Sequence, residues 1–128
     1  MPNGVRRGND NLIHISVKWI TPAGGECAKD FIVDSGASGS AVVKDNARGK
    51  GLAPAGVSTV DTAGGRVQTF NWFGGAMKFT VTKATGGTEE IECSTIVSEL
   101  PSAPSILGND QTKGLLIDNS DPPALIKK

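Results

Sequence analysis

The sequence has no excess of charge of either sign and few residues that bind metals. Thirteen Lys and Arg residues balance thirteen Asp and Glu residues among 128. A surface for nucleic acid or for an anionic membrane needs an excess of Lys and Arg, so we expect neither partner. The two cysteines, Cys27 and Cys93, lie far apart and form no C-x-x-C pair, and His14 is the one histidine. These three residues make a poor metal-ligand set, so we expect no metal and no other cofactor.

Long apolar runs are also missing. No stretch approaches the roughly 20 apolar residues that a membrane-spanning helix requires. Residues 1–11 contain no apolar segment of the kind found in secretory signals. We therefore expect a cytoplasmic protein with reduced thiols. The length suits one domain over residues 1–128, with a loose arm at 1–11 and a proline-containing tail at 120–128.

Helical periodicity is absent, and strand signals fill the chain instead. No segment longer than about ten residues carries an apolar period of 3.6. Residues 12–20 alternate between apolar and polar side chains, and 17 glycines are scattered between such runs. The pattern predicts hairpins over 12–33, 57–73 and 76–97, short strands at 40–44 and 105–108, and a last strand at 115–119 after at most one helical turn. We therefore predict an all-β fold.

One short segment combines a carboxylate with very small residues at the end of an apolar strand. Residues 31–42 read F-I-V-D-S-G-A-S-G-S-A-V. Gly36 permits unusual backbone angles and leaves room beside Asp34. Ala37 adds little bulk, and the hydroxyl of Ser35 can bond sideways to a neighbouring loop. Such a segment suits a catalytic carboxylate at the floor of a cleft.

Three motifs together resemble the retropepsin-like aspartic proteases of retroviruses and LTR retrotransposons. They are I-V-D-S-G-A at residues 32–37, a Gly-rich V-S-T-V-D-T-A-G-G-R-V-Q-T at 57–69, and S-I-L-G-N-D at 105–110. Their order and spacing agree with the family over residues 12–119. The resemblance implies a retropepsin-like barrel with a β-hairpin flap and one short C-terminal helical turn.

The resemblance also implies aspartic endopeptidase activity. In this family a water lies between two carboxylates that share one proton, as is established for aspartic proteases. Here Asp34 alone carries the full motif, because Asp61 is followed by Thr62 and then by Ala63, where the motif requires glycine. The resemblance therefore implies a homodimer in which two copies of Asp34 face each other across a two-fold axis.

The remaining roles are carried over from the family residue by residue. The hydroxyl of Ser35 would bond to the opposite subunit, Gly36 would line the substrate channel, and Ala37 would complete the active-site loop. Ala37 stands where pepsin-like enzymes place a hydroxyl that bonds the catalytic carboxylate, so we expect activity at mildly acid pH. Three residues would support this loop from behind or begin the terminal turn: Ile106, Leu107 and Gly108.

The second motif supplies the flap, whose tip would reach the substrate through backbone N–H groups. Five residues fall there: Asp61, Thr62, Ala63, Gly64 and Gly65. The substrate would be an extended polypeptide, bound as a strand between the flaps and the active-site floor. By resemblance, the natural role would be polyprotein processing, including cleavage of the precursor itself, inside cells and within a capsid-like particle.

Two other interpretations remain open from the sequence. The same fold could be a dimerisation or peptide-binding module with an idle D-S-G, or an unrelated β-barrel binding domain that is monomeric. The sequence also departs from the family in two places. The segment N-D-Q-T-K-G at 109–114 is shorter and more polar than the family's helix, and Pro122 and Pro123 resist strand pairing in the tail.

Overall fold

The computed structural model describes the backbone of residues 4–43, 52–62, 65–99 and 104–128, with side chains except those of 60–62. In these ranges the chain forms strands and one four-residue helix, which confirms the all-β prediction with one short helical turn. The elements are β1 (Val5–Arg7), β2 (Ile13–Ile20), β3 (Glu26–Val33), β4 (Val42–Val43), β5 (Pro54–Thr62), β6 (Gly65–Lys83), β7 (Thr88–Glu99), β8 (Ser105–Leu107), α1 (Asn109–Thr112), β9 (Leu115–Asp118) and β10 (Ala124–Lys127).

The strands join into one open sheet whose central path runs β4-β7-β6-β2-β3-β8. The three predicted hairpins appear as the antiparallel pairs β2–β3, β5–β6 and β6–β7. Two short strands enter in parallel, β8 beside β3 and β4 beside β7. The β3–β8 pair and a bridge between Ala41 and Ile106 bring the chain on either side of residue 34 close to the segment after residue 104.

The core forms on one face of the strands, as their alternation predicts. Ile15, Val17 and Trp19 of β2 are buried, whereas Ser16 and Lys18 between them are exposed. A side chain of this size contributes about 1.5–3 kcal/mol when fully buried. Further buried members are Val5, Phe31, Val42, Met77, Phe79, Val81, Val97, Leu107 and Leu125.

Strand β6 differs from the sequence prediction, which placed separate strands at its two ends. The structure has one strand of 19 residues with an irregularity in its pairing to β7 between Phe73 and Ala76. Gly74 and Gly75 lie in this irregularity, and Gly75 has a φ of 84°. A Cβ on Gly75 would overlap the carbonyl oxygen of Ile20. The glycine pair therefore bends a continuous strand instead of ending it.

Both chain ends also differ from the predicted loose arm and tail. In the arm, β1 pairs with β2, and the Arg7 guanidinium donates to the side chains of Asp121 (2.9 Å) and Asn119 (2.6 Å). In the tail, β10 pairs antiparallel with β9 and parallel with β6. The two prolines come before β10, so their missing N–H groups do not interrupt its pairing.

Some predicted features lie outside the described residues. They are Lys44 of the predicted fourth strand, the loop at 45–51, and most of the loop at 100–104.

Candidate active site

Asp34 follows β3 directly and lies in a tight, exposed turn. Its backbone N–H donates to the carbonyl of Leu107 at 2.9 Å, which extends the β3–β8 pairing by one residue. Its carbonyl accepts the N–H of Ala37 at 3.1 Å, and its Oδ1 accepts the N–H of Gly36 at 3.0 Å. The backbone thus orients the carboxylate and leaves it open to solvent in the single chain.

The small residues predicted beside Asp34 fit this turn. A Cβ on Gly36 would lie 3.2 Å from Asp34 Oδ1, which is tighter than an ordinary contact. The Ser35 side chain is exposed, and its hydroxyl has no hydrogen-bond partner among the described residues. Ala37 is half-buried, and its carbonyl accepts the N–H of Asn109 at 2.7 Å.

The predicted third motif, residues 105–110, packs closely against the Asp34 turn at Gly108. A Cβ at this position would lie 2.7 Å from the carbonyl carbon of Gly39 and 2.9 Å from the carbonyl oxygen of Ala37. Atoms this close overlap, so only glycine permits the approach. The segment at 105–110 and the Asp34 turn are therefore one packed unit, although Gly108 follows Asp34 by 74 positions in sequence.

A polar link that was not predicted from the sequence joins the same two segments. The buried Ser40 hydroxyl accepts the N–H of Gly108 at 2.8 Å and donates to Asp110 Oδ1 at 2.6 Å. The hydroxyl thus satisfies a helix N-terminal N–H that would otherwise lack a partner. No local pattern marks Ser40, because both partners lie about 70 residues away.

An apolar row lies beside Asp34 on the face opposite to the core. Ile32 and Ile106 are register partners across β3 and β8, and Ala41 bridges to Ile106. Their neighbours in sequence, Phe31 and Leu107, are fully buried in the core. Since strand side chains alternate, Ile32, Ile106 and Asp34 share the other face. A carboxylate beside apolar side chains suits a floor that contacts a peptide.

The segment predicted as a flap, residues 57–69, falls in the β5–β6 hairpin. Asp61 and Thr62 end β5, and Thr62 is the register partner of Gly65, which has a φ of 114°. Ala63 and Gly64, predicted at the tip, lie outside the described residues, as do the side chains of Asp61 and Thr62. The hairpin connects to the Asp34 turn through the sheet, because β6 pairs with β7 and β7 pairs with β4.

A charged cluster lies on β1, β2 and β3, upstream of Asp34. The His14 ring nitrogens contact Asp30 at 2.8 Å and Asp10 at 3.0 Å, and Arg6 contacts Asp30 at 2.7 Å. Burial lowers the pKa of His14, but its hydrogen bonds and charge interactions with both carboxylates raise it more, and the net pKa is raised. The pKa of Asp10 is lowered by a hydrogen bond from the Leu12 N–H and by His14. The cluster is therefore a folded-state ion network.

One cavity of the described structure lies apart from the Asp34 turn. A cavity of about 520 Å³ lies between β2, β3, β6 and β7, and no residue of the Asp34 turn lines it. Residues 4–43, 52–62, 65–99 and 104–128 contain no cluster of three or more potential metal ligands. Within the same ranges, none of the helical structure is long and apolar enough to span a membrane.

Comparisons with known proteins return no relative: no protein-family model and no curated protein sequence matches the chain.

Proposed function

We propose that the chain is an aspartic endopeptidase that works as a homodimer. Two Asp34 carboxylates, one from each copy, hold the attacking water and share one proton. One carboxylate removes a proton from the water, and the protonated one donates a hydrogen bond to the scissile carbonyl. The substrate is an extended polypeptide in a retropepsin-like barrel, and polyprotein processing is the natural role that fits it.

The observation that carries the proposal is that the segment at 105–110 packs against the turn that holds the exposed carboxylate of Asp34. The Asp34 turn receives hydrogen bonds from its own backbone and packs against Gly108 with no space for a Cβ. Ser40 bonds both to Gly108 and to Asp110 across the same contact. An ordinary surface turn does not need such close support, whereas a catalytic carboxylate must be held within about 0.5 Å.

The exposure of Asp34 also supports the proposal that each copy supplies one half of the reaction centre. A single chain offers one carboxylate on an open surface, and proton sharing needs a second at about 3 Å. The Ser35 hydroxyl beside it has no partner among the described residues of its own chain. A second copy related by a two-fold axis supplies both the missing carboxylate and a partner for this hydroxyl.

Exposed apolar side chains on the β5–β6 hairpin support substrate contact. Trp72 is the register partner of buried Val97, and alternation places Phe70 on the same face. Val57 is the register partner of Phe70, and these two side chains are 55% and 49% exposed. The hairpin thus carries two exposed apolar side chains, with Glu99 as the second register partner of Phe70. A polypeptide with bulky apolar side chains would bury this exposed surface.

The test is cleavage of a mixed peptide library at about pH 5 by the wild type and by Asp34→Asn, with sedimentation of both. We expect the wild type to cleave and the variant, still dimeric, to lose cleavage. If neither protein cleaves while both dimerise, the proposed activity is refuted and the idle dimerisation or peptide-binding module is the better account. Equal cleavage by both proteins would remove Asp34 from the mechanism.

A further inference from the structure

The cavity of about 520 Å³ between β2, β3, β6 and β7 has no role in the proposed protease activity. Its volume lies within the roughly 300–1,000 Å³ that is usual for small-molecule sites in proteins. Ser16 and Lys18 line it from β2 and alternate with buried Val17, and Lys78 and Thr80 line it from β6 on either side of buried Phe79. Because strand side chains alternate, these four polar side chains lie on the face away from the core.

Two lysines lie directly opposite each other in this cavity. Lys18 of β2 and Lys78 of β6 are register partners in an antiparallel pair. Such partners have their Cβ atoms about 4.5–5.5 Å apart on the same face of the sheet. Two like charges in this position destabilise the pairing of their strands. A negative group between them would remove this repulsion.

No carboxylate of the described residues forms an ion pair with either lysine. Glu92 is the register partner of Lys78 on β7, and Glu90 lines the same cavity, yet neither is bonded to a lysine. Lys78 is half-buried, and an unpaired charge costs more there than at an exposed position. The protein itself thus leaves the charge of the two lysines uncompensated.

The other polar groups of the cavity narrow the chemistry of a ligand. The hydroxyls of Ser16 and Thr80 can donate hydrogen bonds to the oxygens of an anion. The carboxylates of Glu26 and Glu90 also line the cavity and would repel an extended polyanion such as nucleic acid. Two ammonium groups in a small cavity therefore fit a small anion with two negative charges.

We propose that Lys18 and Lys78 bind a small doubly charged anion, either a phosphomonoester or a dicarboxylate, with the hydroxyls of Ser16 and Thr80 as further donors. Each ammonium group donates charge-assisted hydrogen bonds to the anion, which replaces the repulsion between the lysines with two attractions. This site is separate from the proposed reaction centre, because none of the described residues that line the cavity belongs to the Asp34 turn.

The test is an NMR titration of the wild type with inorganic phosphate and, separately, with succinate, each compared with sodium chloride at equal ionic strength. At about pH 8 both probes are doubly charged and the lysines stay protonated. We expect saturable shifts of the amides of residues 16–18 and 78–80. The dissociation constant should rise at least ~10-fold in Lys18→Gln and in Lys78→Gln. The matched control is Lys83→Gln, an exposed lysine of β6 outside the cavity, which should bind as the wild type does.

The two probes distinguish the sources of the anion. Binding of phosphate alone identifies a phosphomonoester, binding of succinate alone identifies a dicarboxylate, and binding of both identifies a site for small dianions of either kind. Thermal unfolding gives a second measurement, since a saturating probe should raise the Tm of the wild type but not that of Lys78→Gln. Amide shifts that chloride reproduces, or an equal loss of binding in Lys83→Gln and Lys78→Gln, would overturn the site. Both measurements report binding, so their result does not depend on whether the chain cleaves peptides.

Discussion

Gly108→Ala is the sharpest perturbation of the contact that supports Asp34. The φ of Gly108 is −96°, which any residue can adopt, so alanine introduces no backbone strain. Its Cβ would, however, lie within 3 Å of backbone atoms of Gly39 and Ala37. Backbone atoms cannot rotate away as a flexible side chain can. The Asp34 turn and the start of α1 must therefore move apart.

The expected cost follows from the kind of atoms involved. Overpacking in a tight interior lowers the free energy of unfolding by about 1–3 kcal/mol. Because the added Cβ would meet three backbone atoms, we expect Gly108→Ala to lie at the upper end of this range. For a domain of this size, about 2–3 kcal/mol lowers Tm by roughly 10 °C. Separation of the segments also weakens the Asn109 N–H bond to Ala37 and shifts Asp34. Because a 1 Å misplacement can cost ~100-fold in rate, we expect cleavage to fall by at least that factor.

Thermal unfolding and kcat/KM, measured at one fixed protein concentration, check this prediction. Gly114→Ala is the matched control, because a Cβ at Gly114 would meet no atom within 4 Å. Gly39→Ala tests the other side of the contact, where a Cβ also meets nothing within 4 Å. We expect both controls to keep near-native stability and activity. If Gly108→Ala has the same stability and activity as Gly114→Ala, the close contact at Gly108 does not support the Asp34 turn.

Three further predictions concern single side chains. Ser40→Ala leaves the buried N–H of Gly108 without its partner and removes the hydrogen bond to exposed Asp110, so it should cost about 1–3 kcal/mol in urea unfolding. Exposed Ser38→Ala should stay within ~0.5 kcal/mol, and equal costs would contradict this role. The raised pKa of His14 means that its stabilisation is complete below about pH 6.5 and is lost as pH rises through the folded-state pKa. Wild type should therefore exceed His14→Gln in stability more at pH ~6 than at pH ~9, and a constant difference would refute the ion network. Burial raises the pKa of the Cys93 thiol, so iodoacetamide should modify exposed Cys27 first, as mass spectrometry of the native chain would show, and equal rates would contradict it.

The strands were predictable wherever burial follows local alternation. Ile15, Val17 and Trp19 alternate with polar residues, and the structure buries all three. The continuity of β6 was not predictable, because Gly74-Gly75 has the composition of a turn. Its role as a bend depends on Ile20, which approaches from another strand. Strand β10 was missed for a similar reason, since its pairing depends on β9 and β6 and not on its own proline-preceded sequence.

In the candidate site, too, the features that depend on local sequence could be predicted and those that depend on distant residues could not. The Asp34 turn has a local signature, because a carboxylate followed by Ser-Gly-Ala is visible in one short segment. The Ser40 link to Gly108 and Asp110 joins residues about 70 positions apart and has no pattern of its own. His14 likewise gave no signal, because its partner Asp30 becomes a neighbour only when β2 pairs with β3.

The central claim is that two Asp34 carboxylates form one reaction centre, and mixing tests it most directly. Wild type and Asp34→Asn are combined in equal amounts, allowed to exchange subunits, and assayed for peptide cleavage at constant total concentration. If both carboxylates are needed, only dimers of two wild-type copies are active, and cleavage falls to about a quarter of the wild-type value. Cleavage at about half of the wild-type value would mean that each copy acts alone, which would contradict the shared centre.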